Sequence, residues 1–140
     1  MNHLHLSSGA QDRAIAFYER YFGFKKISEL GKTAVLKNDA NFILGIDAET
    51  KRISNPFHFG FCFKTKKEVE MIYEKMKTEG LEFAQEIKDL SPRATNFYCL
   101  DPDGNKVEVG WYSAFFAILM MVFSVPVFGA MRPVCERTEA

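Results

Sequence analysis

His3, His58 and Glu108 are the residues of this 140-residue chain best suited to do chemistry. Two neutral imidazoles and one carboxylate can hold a divalent metal on one side and leave open positions on the other. A metal held that way polarises a bound substrate. Each of the three sits in a segment that reads as a β-strand. They lie about fifty positions apart, so the site exists only if the fold gathers distant strands.

Other candidates surround them. Residues two apart on a strand point the same way, so His5 shares a face with His3 and is a candidate proton shuttle, supporting partner or substrate contact. By the same rule His58, Gly60 and Cys62 share a face, with Cys62 reading as a small buried filler. Tyr98 precedes Glu108 across a tight turn, and in a hairpin the two would be neighbours. Its hydroxyl could donate to a developing oxyanion. Arg93, in the loop Leu90-Ser91-Pro92-Arg93, could meet an anionic substrate group.

The elements that must position these residues are legible from periodicity. His3 to Leu6 alternates like a strand. Gln11 to Phe22 follows with Ala14, Phe17, Tyr18 and Tyr21 on one helical face, and Gly23 stands where a C-cap is needed. Phe24 to Leu30, Thr33 to Lys37 and Asn41 to Asp47 read as short strands separated by Gly31 and Asn38-Asp39. After a polar connector, Lys51 to Pro56, the order recurs: a strand at Phe57 to Phe63, a helix at Lys66 to Thr78 closed by Gly80, then strands at Leu81 to Ile87, Ala94 to Leu100 and Lys106 to Trp111. A recurrence at about 55 residues is an internal repeat, and neither half can close a core alone. The expected fold is α+β: two βαβββ modules, about 1–50 and 56–111, forming a curved mixed or antiparallel sheet cup with helices outside.

Composition limits the function classes. Hydrophobic residues make up 47% and charged residues 26%, which is a foldable globular composition. With 18 basic and 18 acidic residues and no basic stripe, nucleic acid is not an expected partner. Cys62, Cys99 and Cys135 are widely spaced and odd in number, which suits free thiols in a reducing cytosol.

The character of the chain changes after Trp111. No charged residue occurs from Val109 to Met131, and Phe115 to Phe123 is apolar on every face. Residues 112–140 therefore read as a hydrophobic C-terminal extension. A membrane anchor through 113–131, an element packing on the domain or building a dimer contact, and an unrelated appendage all remain open.

The motifs of residues 1–111 together resemble the vicinal oxygen chelate superfamily, which includes glyoxalase I, fosfomycin-resistance thiol transferases, extradiol dioxygenases, methylmalonyl-CoA epimerase and bleomycin-binding proteins. The resemblance is carried by His3-Leu4-His5-Leu6, Ala16-Phe17-Tyr18-Glu19, Phe22-Gly23-Phe24, His58-Phe59-Gly60-Phe61, Asp101-Pro102-Asp103-Gly104-Asn105 and Val107-Glu108-Val109. It implies metal ligands on the first strand of each half and a carboxylate on the last strand, at His3, His58 and Glu108. It also implies a substrate contact at Tyr98, and in several members the two halves pair across subunits of a homodimer. The segment Asn41 to Ile46, where some members carry a fourth ligand, has no carboxylate or amide in its middle, so three ligands are implied. Ala10 stands where the family often has an Asp opening the first helix, and Ser8 is expected to cap it instead.

Three functions follow as expectations. One is a cytoplasmic metal-dependent lyase or isomerase, dioxygenase or transferase, using Mn, Fe, Zn or Ni on a small molecule chelated through vicinal oxygens. Another is a metal-free binding module that sequesters a small molecule or antibiotic, favoured by the aromatic strand at Phe57 to Phe63. The last is a membrane-associated role dominated by the C-terminal extension.

Overall fold

The structure is a computed structural model and describes residues 3–49 and 58–114. The elements run β1 (His3–Ser8), α1 (Gln11–Phe22), β2 (Lys25–Leu30), β3 (Thr33–Lys37), β4 (Ile43–Ala48), β5 (His58–Cys62), α2 (Lys66–Thr78), β6 (Phe83–Asp89), β7 (Ala94–Leu100) and β8 (Lys106–Tyr112). This is the expected βαβββ order, twice. The strands form two four-stranded sheets with the same internal order, β1-β4-β3-β2 and β5-β8-β7-β6. Tight contacts divide the chain into two compact units, one from the first repeat with His58 and the 100–106 loop, and one from the second repeat from Phe59 onward without that loop. The connector 51–56 and the apolar run from Phe115 onward lie outside the described residues, as does Cys135.

In the first unit, β1 pairs parallel to β4, and β3 lies antiparallel between β4 and β2. Alternation sends Leu6, Ala34, Leu36, Leu44 and Ile46 to one face, where they are buried against Ala14, Phe17, Tyr18 and Phe22 of α1. Burying each Leu or Phe contributes roughly 1.5–3 kcal/mol. The opposite face carries His3, His5 and Ser7 from β1, Thr33 and Val35 from β3, and Ile43, Gly45 and Asp47 from β4. None of those on β1 is buried. Helix α1 ends as expected, at Gly23 with φ 65. Its start differs: Ala10 is the N-cap with no side-chain cap, and Ser8 Oγ instead accepts from the Ala10 N–H at 3.1 Å, bracing the turn ahead of the helix.

The 101–104 turn also belongs to the first unit. Asp101 is buried, and its carboxylate accepts from Tyr18 Oη at 2.7 Å, the Asp103 and Asn105 N–H groups at 3.0 and 2.7 Å, and Asn105 Nδ2 at 2.8 Å. A buried charge survives only when its lone pairs are met, and here the turn's own backbone meets them. Asp103 in turn accepts from the Gly9 N–H at 3.0 Å.

In the second unit, α2 starts with a complete capping box between Thr65 and Glu68. It ends through Gly80, whose φ of 74 lets the Leu81 N–H reach Met76 O at 3.0 Å. Val69, Tyr73 and Met76 are buried, as are Ala94, Thr95, Phe97, Cys99, Val107 and Val109. Tyr73, Phe83 and Phe97 interlock with ring centroids 5.0–5.7 Å apart. Strand β8 continues one residue beyond the expected end, to Tyr112.

Candidate functional site

Each unit leaves one sheet face without a helix, and the candidate residues stand on those faces. On the first, the His3 and His5 rings meet edge to face at 6.3 Å. His5 lies over its cross-strand partner Gly45, and a Cβ at Gly45 would come within 2.6–2.9 Å of three imidazole atoms. His5 Nδ1 turns towards Asp47 Oδ2 at 3.6 Å, and Asp47 also accepts a short hydrogen bond from Thr33 Oγ1. Thr33, Asp47 and His5 thus stand in a row on an open face, the His5–Asp47 gap being longer than a hydrogen bond, with the histidine 57% and the aspartate 31% exposed.

On the second face, Glu108 is the hub. Its Oε1 accepts from Asn96 Nδ2 at 2.8 Å, from Tyr98 Oη at 3.0 Å and, through a short bond, from Tyr112 Oη. The amide orientation of Asn96 follows from its neighbours, since the opposite assignment would turn a carbonyl oxygen towards a carboxylate. Burial, then the charge and hydrogen bond of Glu108, push the Tyr98 hydroxyl up to about 12. Burial and the same carboxylate raise Tyr112 as well. Both phenols therefore stay protonated at neutral pH and act as donors.

Glu108 has room because Gly60 lies against it on the neighbouring strand. A Cβ at Gly60 would fall 2.8 Å from Glu108 Cβ and 2.9 Å from its carbonyl oxygen. His58 opens β5 two residues before Gly60, on the same face, and is exposed. Cys62 shares that face and is exposed, not the buried filler its small size suggested. Phe59 and Phe61 alternate to the other face, with ring centroids 6.2 Å apart. They therefore do not line the surface that carries His58 and Glu108. Arg93 is exposed in the turn before β7 and takes no part in the Glu108 hydrogen bonds. Its carbonyl receives the Ser113 N–H at 2.8 Å.

Of the residues singled out from sequence, Tyr98 and Glu108 are joined directly, and His3 and His5 touch. Among the described residues of one chain, no group of three His, Cys, Asp or Glu side chains gathers closely enough to hold a metal ion. The donor chemistry nevertheless suits one: two exposed imidazoles, and a carboxylate braced by outer hydrogen bonds of the kind that orient metal ligands. Asn96, Tyr112, Asp47 and Thr33 escaped the sequence reading. Period-2 alternation carried a signal for two of them, since Asn96 shares a face with Tyr98, and Tyr112 with Glu108. No helix among the described residues is long and apolar enough to cross a membrane, and the apolar run at 113–131, one reading of which is a membrane anchor, lies outside them apart from residues 113 and 114.

Two mixed sheets built on a repeated βαβββ unit, each with one helix, define a family fold. The chain belongs to the Glyoxalase/Bleomycin resistance protein/Dioxygenase superfamily, whose model matches residues 1–109. No curated protein matches it. Among solved structures it is similar to a possible glyoxalase from Bacillus cereus, at 27% identity and TM-score 0.65, over 78% of this chain and 96% of that one. It shares its fold with the fosfomycin resistance protein FosX from Listeria monocytogenes, at 20% identity and TM-score 0.72, over 83% and 95%. The same holds for lactoylglutathione lyase from Agrobacterium tumefaciens, at 22% identity and TM-score 0.65, over 79% and 92%.

Proposed function

We propose that this protein is a small metal-dependent enzyme of the glyoxalase and dioxygenase type, acting on a small molecule that offers two neighbouring oxygens. The observation that carries the reading is the Glu108 carboxylate, held by Asn96, Tyr98 and Tyr112 on an open sheet face against Gly60, with His58 along the same face. His3, His58 and Glu108 would hold the ion. The set would form either within one chain or across a homodimer in which His3 of one copy lies beside His58 and Glu108 of the other. Mn, Fe, Zn and Ni all accept two imidazoles and a carboxylate. Bound there, the metal supplies Lewis-acid polarisation of the chelated oxygens.

The chain's own residues supply the rest. His5, on the same face as His3, takes a proton at its imidazole. Tyr98 keeps its one hydroxyl proton on Glu108 Oε1 and, as a substrate contact, offers its oxygen lone pair to a substrate hydroxyl. Arg93 meets an anionic substrate group. The proposed compartment is the cytoplasm.

Elemental analysis of the purified full chain tests the reading, beside His58→Ala and Glu108→Gln variants. Near-stoichiometric divalent metal, lost in both variants, is the expected result. Protein that takes up no metal after incubation with each ion would overturn it, leaving a metal-free small-molecule binding protein as the better account.

A further inference from the structure

Tyr112 reaches Glu108 along its own strand, over a long span. The two are four residues apart on one strand, a separation of roughly 13 Å at about 3.3 Å per residue. The hydroxyl nevertheless donates to Glu108 Oε1. It does so because the residue between them on that face is Gly110. The Tyr112 ring lies back along the strand, and a Cβ at Gly110 would stand 2.7–3.0 Å from its Cε2, Cζ and Oη atoms. Asn96 locks the arrangement from β7. Its Nδ2 donates to Glu108 Oε1 at 2.8 Å and to Tyr112 Oη at 3.3 Å, so the phenol accepts from the amide and donates its own hydrogen bond to the carboxylate.

We propose that Tyr112, admitted by the missing side chain of Gly110 and braced by Asn96, is a positioning residue that presets the Glu108 carboxylate for a divalent cation. The proposal rests on the reading of Glu108 as a metal ligand. An unbraced Glu samples several rotamers and loses that freedom on binding an ion. A carboxylate already fixed on one oxygen has less freedom left to lose. Removing such outer partners of a ligand characteristically weakens metal binding about 10–100-fold.

Two substitutions attack the same contact differently. Tyr112→Phe removes the hydroxyl and keeps the ring. Gly110→Ala keeps the hydroxyl and places a methyl where the ring must lie. Full-length protein is titrated with Co²⁺, following heat and the visible d–d bands, with apo melting temperatures measured in parallel for wild type, both variants, Asn96→Ala and Glu108→Gln. The expected result is about 10–100-fold weaker Co²⁺ binding in both Tyr112→Phe and Gly110→Ala, with altered d–d bands and an apo melting temperature close to wild type for Tyr112→Phe. Wild-type affinity and bands in a folded Tyr112→Phe or Asn96→Ala protein overturn the positioning role, provided that Glu108→Gln has lost binding. Unchanged binding in Glu108→Gln instead overturns the metal reading itself, so the two failures are told apart by which variant shows them.

Discussion

The imidazole of His5 lies over Gly45, its partner across β1 and β4, with Nδ1 turned to Asp47. The position across from His5 must therefore be small. The atoms a new Cβ would meet belong to an exposed ring that can swing away. Gly45→Ala should leave the fold intact, or stabilise it by about 0.5–1 kcal/mol through the lower backbone entropy of alanine. It should also dislodge His5 from Asp47. Imidazole ¹⁵N shifts check this: those of His5 should move in Gly45→Ala and in Asp47→Asn. An unchanged His5 signal in both would remove the approach of Asp47 to His5 from the account.

Gly60→Ala is the same substitution with the opposite expectation. Here the new Cβ meets Glu108 Cβ at 2.8 Å and the Glu108 carbonyl oxygen at 2.9 Å, which are strand atoms and cannot swing aside. Crowding of this kind costs about 1–3 kcal/mol. Urea denaturation should show a lower midpoint for Gly60→Ala than for wild type. A midpoint at or above that of Gly45→Ala would mean that β5 and β8 do not approach as described.

The two glycines also show what was legible in the sequence and what was not. The repeat could be read because its signals are local: helical spacing at Phe17, Tyr18 and Tyr21, αL glycines at Gly23 and Gly80, and the Asp101 to Gly104 turn. Tyr98 beside Glu108 followed from hairpin geometry alone. The side chains that brace the site were not legible. Asp47 reaches His5 only through the parallel register of β1 on β4, and a sequence does not state a register. Tyr112 was missed for a different reason. The loss of charge after Trp111 draws attention away from the strand one residue before its last side chain turns back onto Glu108.

Tyr18→Phe should destabilise the first unit. Tyr18 is fully buried, and its hydroxyl donates to the buried Asp101 carboxylate at 2.7 Å. Losing a hydrogen bond to a charged group costs about 1.5–3 kcal/mol when the acceptor stays buried. Equilibrium denaturation measures the loss, and a change under about 0.5 kcal/mol, the range of a neutral surface substitution, would contradict the burial of this pair.

Asp89 gives the chain a dependence on acid that can be isolated. Its carboxylate pairs with Lys66 Nζ at 2.5 Å and accepts from Ser91 Oγ at 2.5 Å and Ser91 N–H at 2.9 Å. The Lys66 hydrogen bond, then those of Ser91, hold the Asp89 carboxyl well below the usual carboxylate range. A folded-state value below the unfolded one means that the stabilisation is fully present above about pH 4 and is lost as pH falls towards the folded value. The pair is exposed, so the effect is modest and shrinks in salt. Melting temperatures of wild type and Asp89→Asn should differ at pH 6, and the gap should narrow progressively as the pH is lowered from about 4 to about 2. A gap that stays constant across that range would assign the difference to the Ser91 turn alone, with no contribution from the charge on Asp89.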